Sequence, residues 1–275
     1  MRCLLWGVAC IAALLVLNRI VYWTLLPILF FHGGFTESAY DQNARDDSLT
    51  AVSIDTPQGT LYGWERTGTD GAAAIFFGGD ASDSSAWLAG LSEQDRQRAF
   101  GDATLITVDY PSFGKSEGSI SEQAFFEAAE AVYDYAAATH PGAKKVLIGY
   151  SLGCAAAAKA AAEHSAEGLI LIAPMYDGTT MYFPRTSLLH DYFAPTASVK
   201  LDNDALAPLI AERTLVIVSD GDGMTRYADV AALCELFPAK PAMLVPEGIG
   251  HGDYWKTDAV LDAIGQFMRE TNSGE

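Results

Sequence analysis

The chain has 275 residues, 50% of them hydrophobic, with 35 acidic against 17 basic side chains and a formal net charge of −18. That hydrophobic share excludes a disordered chain, and the length suits one substantial core. So acidic a surface repels phosphate backbones, and with no Lys/Arg cluster to offset it, nucleic acid is excluded as a partner. The cysteines show no metal-ligand spacing, and Cys154 and Cys234 read as small buried residues.

Taken in chain order, the first feature is apolar. Residues 3–17 are almost wholly hydrophobic, and after Asn18 and Arg19 the run resumes over 20–31. A bilayer takes about 20 apolar residues to cross, so neither piece suffices alone and together they exceed the need. Residues 1–34 are therefore expected to be an uncleaved, single-pass membrane anchor, His32 included. Arg19 would reach toward an interface, or the second piece would lie in it with Tyr22 and Trp23 as anchors. The alternative, a cleaved signal peptide, lacks a small-x-small pattern ahead of Asn18. Arg2 precedes the segment whereas Glu37, Asp41, Asp46 and Asp47 follow it. By the positive-inside tendency, that puts the main domain, residues 35–275, on the extracytoplasmic side.

Beyond residue 48, strand and helix signals alternate. Strands are expected at 50–54 and 61–66, joined by the turn Pro57-Gln58-Gly59, then at 73–77, ending in Gly78-Gly79. A helix over 87–100 and a strand over 103–108 follow. Ser121 and Glu122 open an alanine-rich helix that His140-Pro141-Gly142 stops near residue 139. A strand at 145–149 leads to the alanine run 155–162, read as a helix, and strands at 168–172, 215–218 and 242–245 are separated or followed by helices at 225–236 and 257–269. Such alternation implies an α/β fold with a mainly parallel sheet covered on both faces. Residues 174–213 break the rhythm and are rich in aromatic side chains, among them Tyr176, Tyr182, Phe183, Tyr192 and Phe193. They read equally well as a small cap walling an apolar substrate pocket and as a connecting helix packed on the core.

Chemistry concentrates at Gly149-Tyr150-Ser151-Leu152-Gly153, between an apolar strand and an alanine helix. A serine on such a turn is strained and exposes its hydroxyl at the carboxyl edge of the sheet, as a nucleophile requires. The hydroxyl needs a base. Of five histidines, His251 in Gly248-Ile249-Gly250-His251-Gly252 follows the last strand on a flexible loop and suits the role. An acid between the two in chain order would fix its tautomer. Asp222, just past the strand at 215–218, is the best choice, with Asp220 as competitor. Backbone amides of Leu152, directly after the serine, and of Gly79, after the third strand, are expected to hold an oxyanion.

With these residues in view, the chain resembles the α/β-hydrolase superfamily from residue 50 to the end, and within it the membrane-anchored α/β-hydrolase-domain serine hydrolases. Phe76-Phe77-Gly78-Gly79 is similar to the family's Phe-His-Gly-Asn oxyanion loop, and the stretch from Asp109 to Gly118 to its Asp-Tyr-Arg-Gly-Tyr-Gly-x-Ser-x-Gly. The resemblance implies an α/β-hydrolase fold with an N-terminal membrane helix and a small cap, and a serine hydrolase of carboxylic esters or thioesters. The substrate would be a small-molecule or lipid-like acyl compound, with no metal or cofactor. A peptidase on the same scaffold, or a non-catalytic membrane-anchored binding protein, are the other readings. Three departures stand out: Phe77 for histidine, Gly79-Asp80 for Asn-Ala, and Pro111-Ser112 for Arg-Gly. Asp80 would oppose a developing negative charge if it pointed inward, and would cap the next helix if it pointed outward.

Overall fold

The computed structural model describes residues 2–81 and 83–273. Its centre is an eight-stranded sheet in the order β1-β2-β4-β3-β5-β6-β7-β8. These are β1 (Thr50–Thr56), β2 (Gly59–Arg66), β3 (Ala72–Phe77), β4 (Thr104–Val108), β5 (Lys144–Tyr150), β6 (Gly168–Ile172), β7 (Thr214–Ile217) and β8 (Ala242–Leu244). β1 and β2 pair antiparallel and β2 joins β4 antiparallel. All later pairings are parallel. β3, β4 and β6 are buried along their whole length, because both faces of a parallel sheet are covered and alternation is lost.

One face is covered by α5 (Glu122–Thr139) and α6 (Gly153–Glu163), the other by α3 (Ser84–Gly90), α4 (Glu93–Phe100) and α10 (Asp258–Ser273). The expected helix over 87–100 is divided. Ser92 accepts from the Asp95 amide and Asp95 from that of Ser92, and this capping box starts α4 afresh. Asp83 caps α3 through the Ala86 amide.

The apolar N-terminus is one helix, α1 (Arg2–Phe30), continuous through Asn18 and Arg19. Residues Trp6–Phe30 are long and apolar enough to cross a membrane. Its last turns belong to the domain: Leu26, Phe30 and Phe31 are buried in the same core as Phe125 and the alanines of α6. The short α2 (Glu37–Asn43) follows and packs near α3.

Topology alone sets the position of the site. The chain runs from β3 to β4 on one side and then crosses back to β5 on the other, so β3 and β5 are neighbours, with Phe77 paired to Gly149. The turns after these two strands therefore lie side by side at the carboxyl edge, where α/β sheets bind ligands.

Candidate active site

Ser151 follows β5 with φ of +52°, a left-handed conformation that costs a side-chain-bearing residue energy and is held by its surroundings. The flanking glycines explain how the turn closes. A Cβ on Gly149 would stand 2.5 Å from the Cα of Cys154, and one on Gly153 would stand 2.1 Å from the carbonyl oxygen of Phe77. The Ser151 amide donates to the Ile172 carbonyl of β6 at 2.8 Å, which fixes the turn to the sheet.

His251 opens a 3₁₀ turn over His251–Lys256. Its Nε2 lies 2.8 Å from Ser151 Oγ, and its Nδ1 lies 2.8 Å from Asp222 Oδ2. An ionised carboxylate only accepts, so Nδ1 carries the proton and Nε2 is free to accept from the serine hydroxyl. Asp222 is also tied down by the amides of Met224 and Thr225, the Thr225 hydroxyl and the Tyr254 hydroxyl. Burial pushes the Asp222 carboxyl up, but the bonds from His251 and Thr225 outweigh it and hold the group well below the usual carboxylate range.

Three supporting residues carry no motif signal in the sequence. Tyr254, fully buried, donates to Asp222 at 2.9 Å and accepts from the Ser219 amide at 2.9 Å. Burial pushes its phenol up, so it stays protonated as a donor. Tyr150 donates to the His251 carbonyl at 2.5 Å and stacks on the imidazole with ring centroids 5.5 Å apart. Ser219 accepts from the amides of Gly221 and Ile249, joining the acid and histidine loops. Asp220, the competitor of Asp222, accepts instead from the Gly248 amide at 2.7 Å and so anchors the loop that carries His251.

A Cβ on Gly79 would lie 3.4 Å from the Cβ of Ser151, so this backbone passes directly beside the hydroxyl. Among the described residues, neither the Gly79 nor the Leu152 amide donates to a protein acceptor. Both expected oxyanion donors are thus adjacent to Ser151 and uncommitted. Asp80 follows neither of its two expected courses. It accepts from the His32 amide at 2.8 Å, with His32 Nδ1 3.3 Å from its other oxygen, and Asp83 is the helix cap. His32 lies past the end of α1, with its side chain 52% exposed.

The stretch from Asp109 to Gly118 braces this edge. Tyr110 donates to the Gly78 carbonyl at 3.1 Å, and Asp109 accepts from the Ser84 amide and hydroxyl at 2.6 and 2.9 Å. Gly114 passes so close that a Cβ would sit 2.0 Å from Asp109 Oδ2. Burial raises the Asp109 carboxyl to about 7.

A serine on a strained strand–helix turn, bonded through histidine to a buried aspartate at the carboxyl edge of a doubly covered sheet, marks an α/β fold arranged for nucleophilic chemistry. A sequence model of the alpha/beta hydrolase family matches residues 28–270, and the chain belongs to that family. Curated relatives include alpha/beta hydrolase domain-containing protein 17C of Xenopus tropicalis and of Homo sapiens, each 25% identical over 167 residues. The match covers 60% of this chain and 52% and 49% of theirs, so the chain spans about half the length of the curated relatives it matches. Among solved structures, the alpha-beta hydrolase of Vibrio vulnificus has a TM-score of 0.66 at 18% identity, covering 94% of each chain. Est1E of Butyrivibrio proteoclasticus, solved with ferulic acid bound, has a TM-score of 0.65 at 17% identity, over 81% of this chain and 100% of that one. An esterase of Pyrococcus furiosus has a TM-score of 0.65 at 14% identity, over 88% and 97%. At these identities the likeness is one of fold.

Proposed function

We propose that the protein is a serine hydrolase of carboxylic esters or thioesters, held at a membrane by α1. The observation that carries this reading is the line of two 2.8 Å contacts, Ser151 Oγ to His251 Nε2 and His251 Nδ1 to Asp222. Ser151 attacks the acyl carbonyl while His251 takes its proton, and Asp222 stabilises the imidazolium so formed. The amides of Gly79 and Leu152 meet the developing oxyanion. His251 then returns the proton to the leaving group, and a water activated by His251 resolves the acyl-enzyme. Tyr150 and Tyr254 hold the histidine and the aspartate in register.

Among the described residues, one helix long and apolar enough to cross a membrane and a cap-like segment rich in aromatic side chains favour lipid-like acyl substrates. Arg2 ahead of the helix and acidic residues after it favour a single-pass anchor with the catalytic domain on the extracytoplasmic side. Labelling by a fluorophosphonate probe tests the mechanism: the full chain should label and Ser151→Ala should not. Equal labelling of both would overturn the assignment of Ser151.

A further inference from the structure

Residues 174–213 form α7 (Leu188–Phe193), α8 (Asn203–Leu206) and three 3₁₀ turns. This segment is fastened to α1. The Tyr192 hydroxyl donates to the Leu15 carbonyl at 2.5 Å, Arg19 Nε donates to the Tyr192 carbonyl at 3.0 Å, and the Ser198 hydroxyl donates to the Trp23 carbonyl at 2.5 Å. The Arg19 guanidinium covers the Tyr192 ring at 4.5 Å, and Tyr22 packs on Phe193 with centroids 4.5 Å apart. Arg19 is thus bound to the protein itself. Cap and anchor helix are joined along about two turns, from Leu15 to Trp23.

The joint has a defined depth along α1. The unbroken apolar run ends at Leu17, and the exposed Trp23 is of the residue type that settles at a membrane interface. Leu15, which holds Tyr192, lies four residues to the lipid side of Arg19, about 6 Å at the helical rise. Interfacial helices sink about 5–10 Å into the headgroup and acyl boundary. α7 lies at that level. Its Leu188 and Leu189 are 85% and 52% exposed, and Ile20 and Trp23 on α1 are exposed as well. The inner end of the same assembly reaches the site: Phe30 meets Tyr182 of the cap at 5.8 Å, and His32 holds Asp80, the neighbour of Gly79.

We propose that α7 and the adjoining face of α1 form a lipid-facing surface, sunk into the acyl–headgroup boundary of a phospholipid bilayer, from which acyl substrate passes to Ser151. The occupant is lipid because the surface adjoins the exposed apolar face of α1, where Ile11, Leu14, Leu15, Leu17 and Ile20 are uncovered by the domain. With a chain charge of −18, attraction to anionic headgroups is not the driving force, so neutral phosphatidylcholine suffices and added salt does not release the cap. The substrate route rests on the reading of Ser151 as the nucleophile; the docking surface does not.

The test uses the full chain in phosphatidylcholine vesicles, with Cys3 and Cys10 replaced by serine. An environment-sensitive fluorophore is placed at Leu189→Cys or, on the opposite face of the sheet, at the exposed Gln266→Cys. The fluorophore at 189 should shift to the blue and be quenched at least about twofold more by shallow doxyl-labelled lipid than the one at 266. Equal quenching at the two positions, or a blue shift at 189 without quenching, would overturn the docking surface, the second outcome pointing to a protein neighbour. A Leu188→Glu, Leu189→Glu chain should lose about tenfold in turnover of a long-chain ester carried in the vesicles and keep its turnover of a water-soluble short-chain ester. Equal losses on both esters would overturn the substrate route. If the unsubstituted chain turned over neither ester, the nucleophile reading would fail, and the quenching would still decide the docking.

Discussion

Two histidine–aspartate pairs in this molecule, one half-buried and one buried, invite comparison. At the sheet edge, His251 joins Asp222 through Nδ1 and Ser151 through Nε2. In the segment 174–213, His190 Nε2 lies 2.7 Å from Asp177, but its Nδ1 is buried with no hydrogen-bond partner among the described residues, and an Asp191 oxygen stands 3.7 Å away. The aspartates differ as well. Asp222 accepts from five groups counting His251, whereas Asp177 accepts from the Thr180 amide and His190. A histidine–aspartate pair is thus ordinary structural chemistry. What sets one pair apart is the strained turn that delivers a hydroxyl to the far nitrogen.

The largest test of that distinction is at His251. On a soluble nitrophenyl ester, His251→Ala is expected to lose at least about 10⁴-fold in kcat/KM, with Asp222→Asn losing about 10⁴-fold through the wrong tautomer. If either variant kept a tenth of the parent's rate, the pair at the sheet edge would be no more chemical than the one at His190. The turn itself comes next. Gly153→Ala places a methyl against the Phe77 carbonyl and should lower unfolding stability by about 3 kcal/mol, read from the denaturant midpoint at unchanged slope.

A third carboxyl sharpens the role of the donors. Asp109, buried with bonds from Ser84 alone, has its pKa raised to about 7, opposite in sign to Asp222. Between about pH 4 and 7 it stays protonated when folded and ionises when unfolded, so it makes stability fall as pH rises through that window. Asp109→Asn should remove that slope; an unchanged stability profile over the same range would count against the raised value. The smallest effect is expected at His190. His190→Gln should lower thermal stability while leaving kcat/KM on a soluble ester within about twofold, because no reacting group touches it.

Much of this was legible because the strands of the parallel core are apolar runs, and Ser151, Asp222 and His251 each lie in the loop that follows one. Chain order and the sheet's carboxyl edge then bring them together. The rest was hidden for identifiable reasons. A capping box at Ser92 outweighs an otherwise continuous helical pattern. Tyr150 and Tyr254 act through partners 101 and 32 residues away, a separation that no local pattern records. Hydropathy assigned the second apolar run of α1 to the bilayer, yet burying Leu26 and Phe30 against a protein core satisfies the same side chains. Asp80 finds its partner, His32, 48 residues earlier in the chain, beyond the reach of any local pattern.

That burial bears on how the protein is made. Leu26, Phe30 and Phe31 leave the ribosome before any strand exists, and Phe125, which meets Phe31 at 5.8 Å, follows only after four strands. The sheet must therefore close around a helix that is already in place. A membrane that captures α1 early would fix where that closure happens, and a chain kept from it would wait with part of its core unclaimed.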